Sequence, residues 1–226
     1  MKTKFLHIAT ALLFAGFTSS CSDFLDRYPL DELSDSSFWK TENDAMMAVT
    51  DIYGCLPTWD QDEDINSDNA VHGIKWAAGN ISKGIYDPMD QSWAGSYTPI
   101  RQCNLVLEKV KDIEMSDESR KKIEGQAYFF RAFVYFNLIR SFGDVPYIDK
   151  PLNLTDVEDI TRTPREEVYA KVMADFDKAI EYLPEEWDAA NTPRVTKGAA
   201  LAMKARAALY YNNWQVAADA SKAVMD

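Results

Sequence analysis

The sequence predicts an all-α protein built from antiparallel helix pairs, with one long irregular loop between the first two helices. Apolar residues recur with helical spacing in six segments between residue 44 and the end of the 226-residue chain, and no segment alternates convincingly as a strand does. Residues 58–97 interrupt this pattern and have no sustained period. A stretch of that length is usually functional or an excursion from the body of the domain.

The first twenty residues have the pattern of a secretory signal peptide. Lys2 and Lys4 precede thirteen uncharged, mostly apolar residues, which are followed by Thr18, two serines and Cys21. The apolar run is too short to span a bilayer comfortably. A cysteine directly after small residues indicates a lipobox, although Thr18 stands where such boxes usually carry Leu. We predict that residues 1–20 are removed and that Cys21 is acylated as a lipid anchor, with ordinary cleavage nearby as the alternative.

Residues 21–43 are predicted to form an extended N-terminal arm. Pro29 and the mixed Asp and Ser content argue against a helix there. Phe38 and Trp39 are expected to hold this arm against the body. The helical domain is predicted to span residues 44–226.

The first helix is predicted from Asp44 to Leu56, with Pro57 as its stop. The second is predicted to start at Thr98-Pro99, with the proline at the first helical position. The apolar faces consist of Ala45, Val49, Ile52 and Leu56 in the first helix and Ile100, Cys103, Leu107 and Val110 in the second.

The third helix is predicted from Ser116 to Phe142, before Gly143. Its second half is aromatic on every side, with Tyr128, Phe129, Phe130, Phe133, Tyr135 and Phe136. Such a helix is normally buried between neighbours. Arg131, Asn137 and Arg140 argue against a membrane span, and the two arginines are candidates for pairing with acids of neighbouring helices.

The fourth helix is predicted to begin with a capping box at Thr163-Pro-Arg-Glu166 and to end at Pro184. Its apolar face consists of Val168, Val172, Phe176, Ala179 and Leu183.

The last two helices, which open at Thr196 and Trp214 around an Asn-Asn turn, have the spacing of a tetratricopeptide unit. Ala205 and Ala217, twelve residues apart, take the small positions, and Trp214 takes the aromatic position. Small residues there let two antiparallel helices approach closely. The segment 164–183 has the spacings of the second half of another such unit.

Composition excludes several function classes. The formal net charge is −12, and it becomes −14 without residues 1–20, which disfavours nucleic acid and anionic lipid surfaces and suits neutral ligands. Cys55 and Cys103 form neither a CxxC motif nor a zinc spacing, and two buried free thiols are favoured over a disulfide. We predict no cofactor.

Four segments resemble the SusD/RagB family of outer-membrane nutrient-binding lipoproteins of Gram-negative bacteria. These segments are Cys21 to Asp26 followed by Pro29, Phe38-Trp39 leading into Asp44 to Tyr53, Ile100 to Asn104, and Gly125 to Pro146. The last, GQAYFFRAFVYFNLIRSFGDVP, is the most specific, because the family ends this helix in a near-identical Phe-Gly-Asp-Val-Pro turn. Family members are considerably longer, so we expect this chain to correspond to their N-terminal part and to be truncated at its C-terminus.

The resemblance implies a SusD-like helical fold with tetratricopeptide-like pairs. It also implies capture of glycans or similar nutrients without catalysis, a lid-like position over a TonB-dependent outer-membrane transporter, and a ligand site that draws on loops of the 58–97 region.

The 58–97 segment supplies residue types suited to sugars, since flat aromatic faces contact CH-rich rings while amides and carboxylates bind hydroxyls. The candidate ligand-binding residues are Trp59, Asn66, Asp68, Asn69, Trp76, Asn80, Tyr86 and Trp93. We hypothesise that Trp76 or Trp93 stacks on a sugar. The alternative is that these aromatic residues pack the loop onto the helices.

Metal binding and catalysis have weaker support. The acids of residues 60–68 alternate as in a calcium loop, but an EF-hand would need Gly at Ile65 and Glu at Val71, so a solvated acidic loop is favoured. His72 is the only histidine after the signal peptide. A two-carboxylate glycosidase stays open, although no pair of acids stands out.

We therefore expect a lipid-anchored, surface-exposed outer-membrane protein that binds a glycan or similar nutrient, is not an enzyme and works with a TonB-dependent transporter. A tetratricopeptide-type interaction scaffold is the second interpretation, and a carbohydrate-active enzyme is the third. Tryptophans outside the repeat helices favour the first over the second.

Overall fold

Six α-helices and two short 3₁₀ turns make up the regular structure of the computed structural model, which describes residues 38–57, 84, 93–157 and 159–225. The helices are α1 (Glu42–Ile52), α2 (Trp93–Lys109), α3 (Asp117–Phe142), α4 (Arg165–Tyr182), α5 (Lys197–Tyr210) and α6 (Trp214–Met225), and the 3₁₀ turns are Tyr53–Cys55 and Leu154–Val157. Within these residues the only β pairing is one isolated antiparallel bridge. The predicted all-α class is confirmed.

The aromatic helix α3 lies at the centre of the packing. It contacts α1, α2, α4 and α5, while α5 and α6 pack against each other. Phe130, Tyr135 and Phe136 are almost completely buried in one continuous core, as expected for a helix that is apolar on every side. All these contacts belong to one compact unit, Trp39–Asp226; of the other unit, Met1–Phe38, only Phe38 is described.

The predicted signal peptide, Cys21 and all but the last residues of the predicted arm therefore lie outside the described residues. Trp39 packs against the core, but its expected role of holding the arm stays a prediction. No helix in the described ranges combines the length and apolar character needed to cross a bilayer.

Several helix ends follow their local signals. Ser116 caps α3 by accepting a hydrogen bond from the Ser119 amide, and Thr196 caps α5 by accepting one from the Ala199 amide. Asn212, in the turn before α6, has a positive φ of 57°, a conformation that Asn tolerates well.

The start of α1 differs slightly from the prediction. The helix begins at Glu42, because Thr41 and Asp44 form a reciprocal capping box. The predicted inward residues Ala45, Val49 and Ile52 are all buried. Leu56 falls after the 3₁₀ turn, outside the helix.

The predicted start of α2 was wrong by six residues. Pro99 lies inside the helix, which begins at Trp93. Trp93 and Tyr97 are four residues apart and share a face, where both pack against the core. This tertiary contact stabilises an extra N-terminal stretch although Pro99 has no amide hydrogen to donate within it.

The predicted capping box at the start of α4 does not form. The N-cap residue is Pro164, and no side chain of the predicted box caps it. The backbone of Thr163 is instead paired with Val145, with hydrogen bonds in both directions. The Asp144 carboxylate accepts the hydrogen bond of the Arg165 amide at 3.0 Å and so caps α4 from the preceding turn.

The α5–α6 pair has the close contact that its small residues predict. Ala205 and Ala217 are buried, and the two helices pack along each other. Trp214, however, is 60% exposed, so the residue at the predicted aromatic position does not fill a core site in this structure.

Candidate functional site

Of the predicted ligand-binding residues, the structure describes Trp93. The other predicted ligand-binding residues lie outside the described residues; these are Trp59, Asn66, Asp68, Asn69, Trp76, Asn80 and Tyr86. Their role in ligand binding stays a prediction. The acidic run 60–68 and His72 also lie outside the described residues.

Trp93 opens α2 and has a half-buried indole. The ring of Phe142 meets it edge-on with 4.8 Å between centroids, and Tyr97 lies at 6.0 Å. The guanidinium carbon of Arg162 lies 5.0 Å from its ring centroid, in cation–π geometry. These contacts give Trp93 a packing role at the junction of α2 and the end of α3, and a sugar would have to share the ring with Arg162.

A different set of residues forms a groove between α1, α2 and α3. Its volume is about 370 Å³, within the range of ligand sites. The groove is lined by Asp51, Gly54, Cys55, Gly95, Ser96, Thr98, Pro99, Gln102, Phe133, Val134 and Asn137. Eight of these residues lie at positions 51–55 and 95–102, on either side of residues 58–92 in the chain, and the other three lie on α3.

Polar side chains line the groove from all three helices. The Gln102 side-chain amide donates a hydrogen bond to the Asp51 carboxylate across the α1–α2 boundary. Asn137 on α3 adds another amide, and Thr98 adds a hydroxyl. Amides, hydroxyls and a carboxylate together supply both donors and acceptors, which is the set that sugar hydroxyls require.

Phe133 supplies the apolar surface of the groove. It is half-buried and stacks in parallel on Phe129, with 6.3 Å between ring centroids. A ring held in this way can pack against the CH-rich face of a sugar without losing side-chain freedom on binding.

The cysteine in the groove is poorly suited to nucleophilic chemistry. Burial raises the pKa of the Cys55 thiol to about 11, so the thiolate is scarce at neutral pH. Cys103 is fully buried, and burial raises its pKa further. Both thiols are free in the structure, as expected.

A buried ion pair fixes α3 against α4. Arg131 donates to the two carboxylate oxygens of Asp175 at 2.7 Å each, and to the side-chain oxygen of Asn104 on α2 at 2.8 Å. Burial lowers the pKa of Arg131, but the hydrogen bonds to Asp175, the negative charge of Asp175 and other nearby groups together outweigh this and raise the pKa, so the guanidinium stays charged. The pairing suggested for Arg131 is confirmed, whereas the Arg140 guanidinium carbon lies 5.9 Å from the ring centroid of Tyr210.

The chain that follows α3 is held by the same group of residues. The side-chain amide of Asn104 donates to the Ile148 carbonyl at 2.9 Å, and the Tyr135 hydroxyl accepts a hydrogen bond from the Ile148 amide at 2.6 Å. Gly143 has a positive φ of 71°, which favours glycine at the first residue of this turn. The Phe-Gly-Asp-Val-Pro turn thus ends α3, caps α4 through Asp144 and docks onto α2.

Comparison with known proteins identifies the family. The SusD-like family profile described as "Starch-binding associating with outer membrane" matches residues 23–209. The chain belongs to the SusD-like family. The predicted resemblance is therefore confirmed, and the matched part includes all of α1 to α4 and nearly all of α5.

Curated SusD-like relatives are considerably longer. SusD-like protein P2 of Formosa agariphila is 29% identical over 240 residues, which cover 100% of this chain and 46% of the relative. A SusD-like protein of Bacteroides ovatus is 26% identical over 227 residues, covering 95% of this chain and 40% of the relative. This chain spans less than half the length of these relatives.

Solved structures show the same fold. A SusD-like protein of Bacteroides fragilis superposes with a TM-score of 0.77 at 25% identity, covering 88% of this chain and 41% of the other. A SusD-like carbohydrate-binding protein of the same species superposes with a TM-score of 0.70 at 25% identity, covering 83% of this chain and 41% of the other. A laminarin-binding SusD-like protein superposes with a TM-score of 0.72 at 24% identity, covering 80% of this chain and 42% of the other. At this identity the similarity supports the fold alone.

The groove residues were not among those predicted from the sequence. Asp51, Gln102 and Asn137 are separated by 51 and 35 positions in the chain, and only helix packing brings them together. One usable signal was Asn137, a polar residue in the aromatic second half of α3. In the sequence, Asn137 was interpreted only as an argument against a membrane span.

Proposed function

We propose that this SusD-like chain binds a neutral glycan at the surface of the outer membrane, without chemical conversion, and delivers it to a TonB-dependent transporter. Membership of a family described as starch-binding and associated with the outer membrane is the observation that carries the proposal. The groove between α1, α2 and α3 supports it, because the groove combines an aromatic ring with amide, hydroxyl and carboxylate groups. The net charge of −12 favours a neutral ligand over an acidic one.

We further propose that the acyl chains on Cys21 hold the protein at the membrane and that residues of the 58–92 segment contribute to glycan binding. Trp59, Trp76 or Tyr86 would supply an aromatic face for the sugar. The amides of Asn66, Asn69 and Asn80 and the carboxylate of Asp68 would add further partners for hydroxyls.

Affinity electrophoresis tests the role of the groove. The purified protein is run through gels that contain soluble starch, laminarin or no glycan, and its retardation gives the affinity. Phe133→Ala and Gln102→Ala are each expected to weaken retardation about three- to tenfold, since each removes a contact on the order of 1 kcal/mol. Gln215→Ala, at an exposed position on α6 far along the chain, is the matched control and should leave retardation unchanged.

Two results would count against the proposal. Wild-type retardation that neither groove variant alters would place the glycan elsewhere. Absence of retardation with every neutral glycan, while the protein still co-purifies with other proteins, would favour the interaction-scaffold interpretation. The transporter partnership has its own test, because detergent extracts of native membranes should yield the transporter together with the protein.

A further inference from the structure

The segment between α4 and α5 is a closed and internally bonded surface loop. The Lys197 amide donates to the Pro184 carbonyl at 2.9 Å and joins its two ends. The Asp188 carboxylate accepts hydrogen bonds from the backbone amides of Ala190 and Asn191, each at 3.0 Å. Compact loops whose ends meet and whose own side chains pack them are frequently functional.

The loop is also tied to the helical body. The Val195 amide donates to the Tyr53 hydroxyl at 2.9 Å. Arg194 donates to the side-chain oxygens of Gln126 at 3.2 Å and Thr50 at 3.0 Å, on α3 and α1. These contacts set the shape of the loop before any ligand arrives, which lowers the entropic cost of binding.

A hollow of about 330 Å³ opens on this loop, at the lower end of the size range of ligand pockets. Its lining includes Glu185, Glu186, Trp187, Thr192, Pro193 and Arg194. None of the residues that line the hollow also lines the groove between α1, α2 and α3.

The chemistry of the hollow suits a neutral sugar. The Trp187 indole nitrogen already donates to the Val195 carbonyl at 2.8 Å, and its half-buried ring packs against the core, so this side chain offers a ligand the part of its ring that lines the hollow and not its N–H group. Glu185 and Glu186 are exposed carboxylates that can accept hydrogen bonds from sugar hydroxyls. Glu185 also pairs with the Lys197 ammonium at 3.2 Å, and Arg194 lines the hollow, so the negative charge of the glutamates is balanced by these cations.

We propose that the loop Pro184–Lys197 is a second saccharide-binding site for neutral pyranose units, separate from the groove. The assignment of a saccharide as the ligand rests on the proposed function. The location of the site rests on the hollow and its lining residues. The Trp187 ring packs on the apolar face of the sugar, and the two glutamates bind its hydroxyls.

Fluorine NMR of the protein labelled with 5-fluorotryptophan tests this site directly. The Trp187 signal is assigned with Trp187→Phe, or through its proximity to Val195 if that variant does not fold. Titration with glucose hexamers, either α-1,4- or β-1,3-linked, is expected to shift this signal saturably at millimolar concentration. Glu186→Gln should weaken the response about three- to tenfold, as expected when a charged hydrogen-bond acceptor is lost.

Matched variants separate this site from the groove. Glu118→Gln, at an exposed position on α3, should leave the Trp187 response unchanged. Phe133→Ala in the groove should also leave it unchanged. If the chemical shift of Trp187 does not change although starch or laminarin gels retard the protein, this inference is wrong and the proposed function is still supported. If neither glycan binds in any assay, both proposals fail.

Discussion

The ion pair between Arg131 and Asp175 provides the sharpest test of the helix packing. The change Asp175→Asn keeps the size of the side chain but removes its charge. Both partners are less than 10% exposed, and Asn would replace one of the two carboxylate oxygens that Arg131 binds with an NH₂ group, leaving one uncharged amide oxygen beside Asn104 and the Asp149 carbonyl as acceptors. Removing one partner of a buried pair leaves the other charge uncompensated, which typically costs about 3–5 kcal/mol.

A loss of this size is a large share of the stability expected for a domain, about 5–15 kcal/mol. With a urea dependence of roughly 2 kcal/mol per M, a loss of 3 kcal/mol would lower the unfolding midpoint by about 1.5 M. Far-ultraviolet circular dichroism follows the transition, because the described part of the fold is helical.

Asp177→Asn is the matched control. Asp177 lies on the same helix, two residues further on, but its side chain is 59% exposed and pairs with Lys204 at the surface. Exposed pairs contribute little, so the control should unfold close to the wild-type midpoint. Equal midpoints for the two variants, or a loss under about 1 kcal/mol in Asp175→Asn, would refute the assignment of this pair as the link between α3 and α4.

Three further predictions concern other contacts. A Cβ atom at Gly125 would lie 3.0 Å from atoms of Tyr182 and Leu183, so Gly125→Ala should destabilise the protein by about 1–3 kcal/mol. A Cβ atom at Gly198 on α5 would meet the Thr196 hydroxyl oxygen at 3.7 Å, an ordinary contact, so Gly198→Ala should be neutral or slightly stabilising in the same urea assay. Asp144→Ala should lower the free energy of unfolding by about 1 kcal/mol, because it removes the cap of α4. Asp144→Asn should keep most of the stability that the cap contributes. Equal losses of stability in the two variants would contradict this role. In a Cys21→Ser variant, Cys55 should react with Ellman's reagent at pH 8 about tenfold more slowly than an ordinary thiol. A pKa near 11 lowers the thiolate fraction about 100-fold, but the higher nucleophilicity of this thiolate offsets part of that loss. An ordinary rate in the folded protein would be inconsistent with a buried thiol.

Local sequence signals predicted most of the helices. Ser116, Thr196 and Pro184 mark helix ends through contacts within a few residues, and such contacts can be read from the chain alone. The errors at the starts of α2 and α4 have long-range causes. The extra N-terminal residues of α2 depend on Trp93 packing against Phe142, and the cap of α4 comes from Asp144, 21 residues before the amide that it binds.

The groove could not be predicted for a related reason. Its polar residues lie on three helices, and each helix alone gives no sign that Asp51, Gln102 and Asn137 meet. The buried pair was easier to predict, because Arg131 lies among aromatic residues in the second half of α3 and a buried arginine needs an acidic partner, although the sequence did not single out Asp175. Aromatic and amide residues concentrated in one loop were visible from composition, but their geometry was not.

The central claim is that this SusD-like chain binds a neutral glycan and leaves it intact. Isothermal titration calorimetry with a panel of neutral oligosaccharides, followed by chromatography of the recovered sugar, measures both parts of that claim in one sample. We predict saturable heat with at least one glycan, weaker binding by Phe133→Ala, and quantitative recovery of the unshortened oligosaccharide. Release of shorter products, or the absence of binding heat across the whole panel, would contradict the claim.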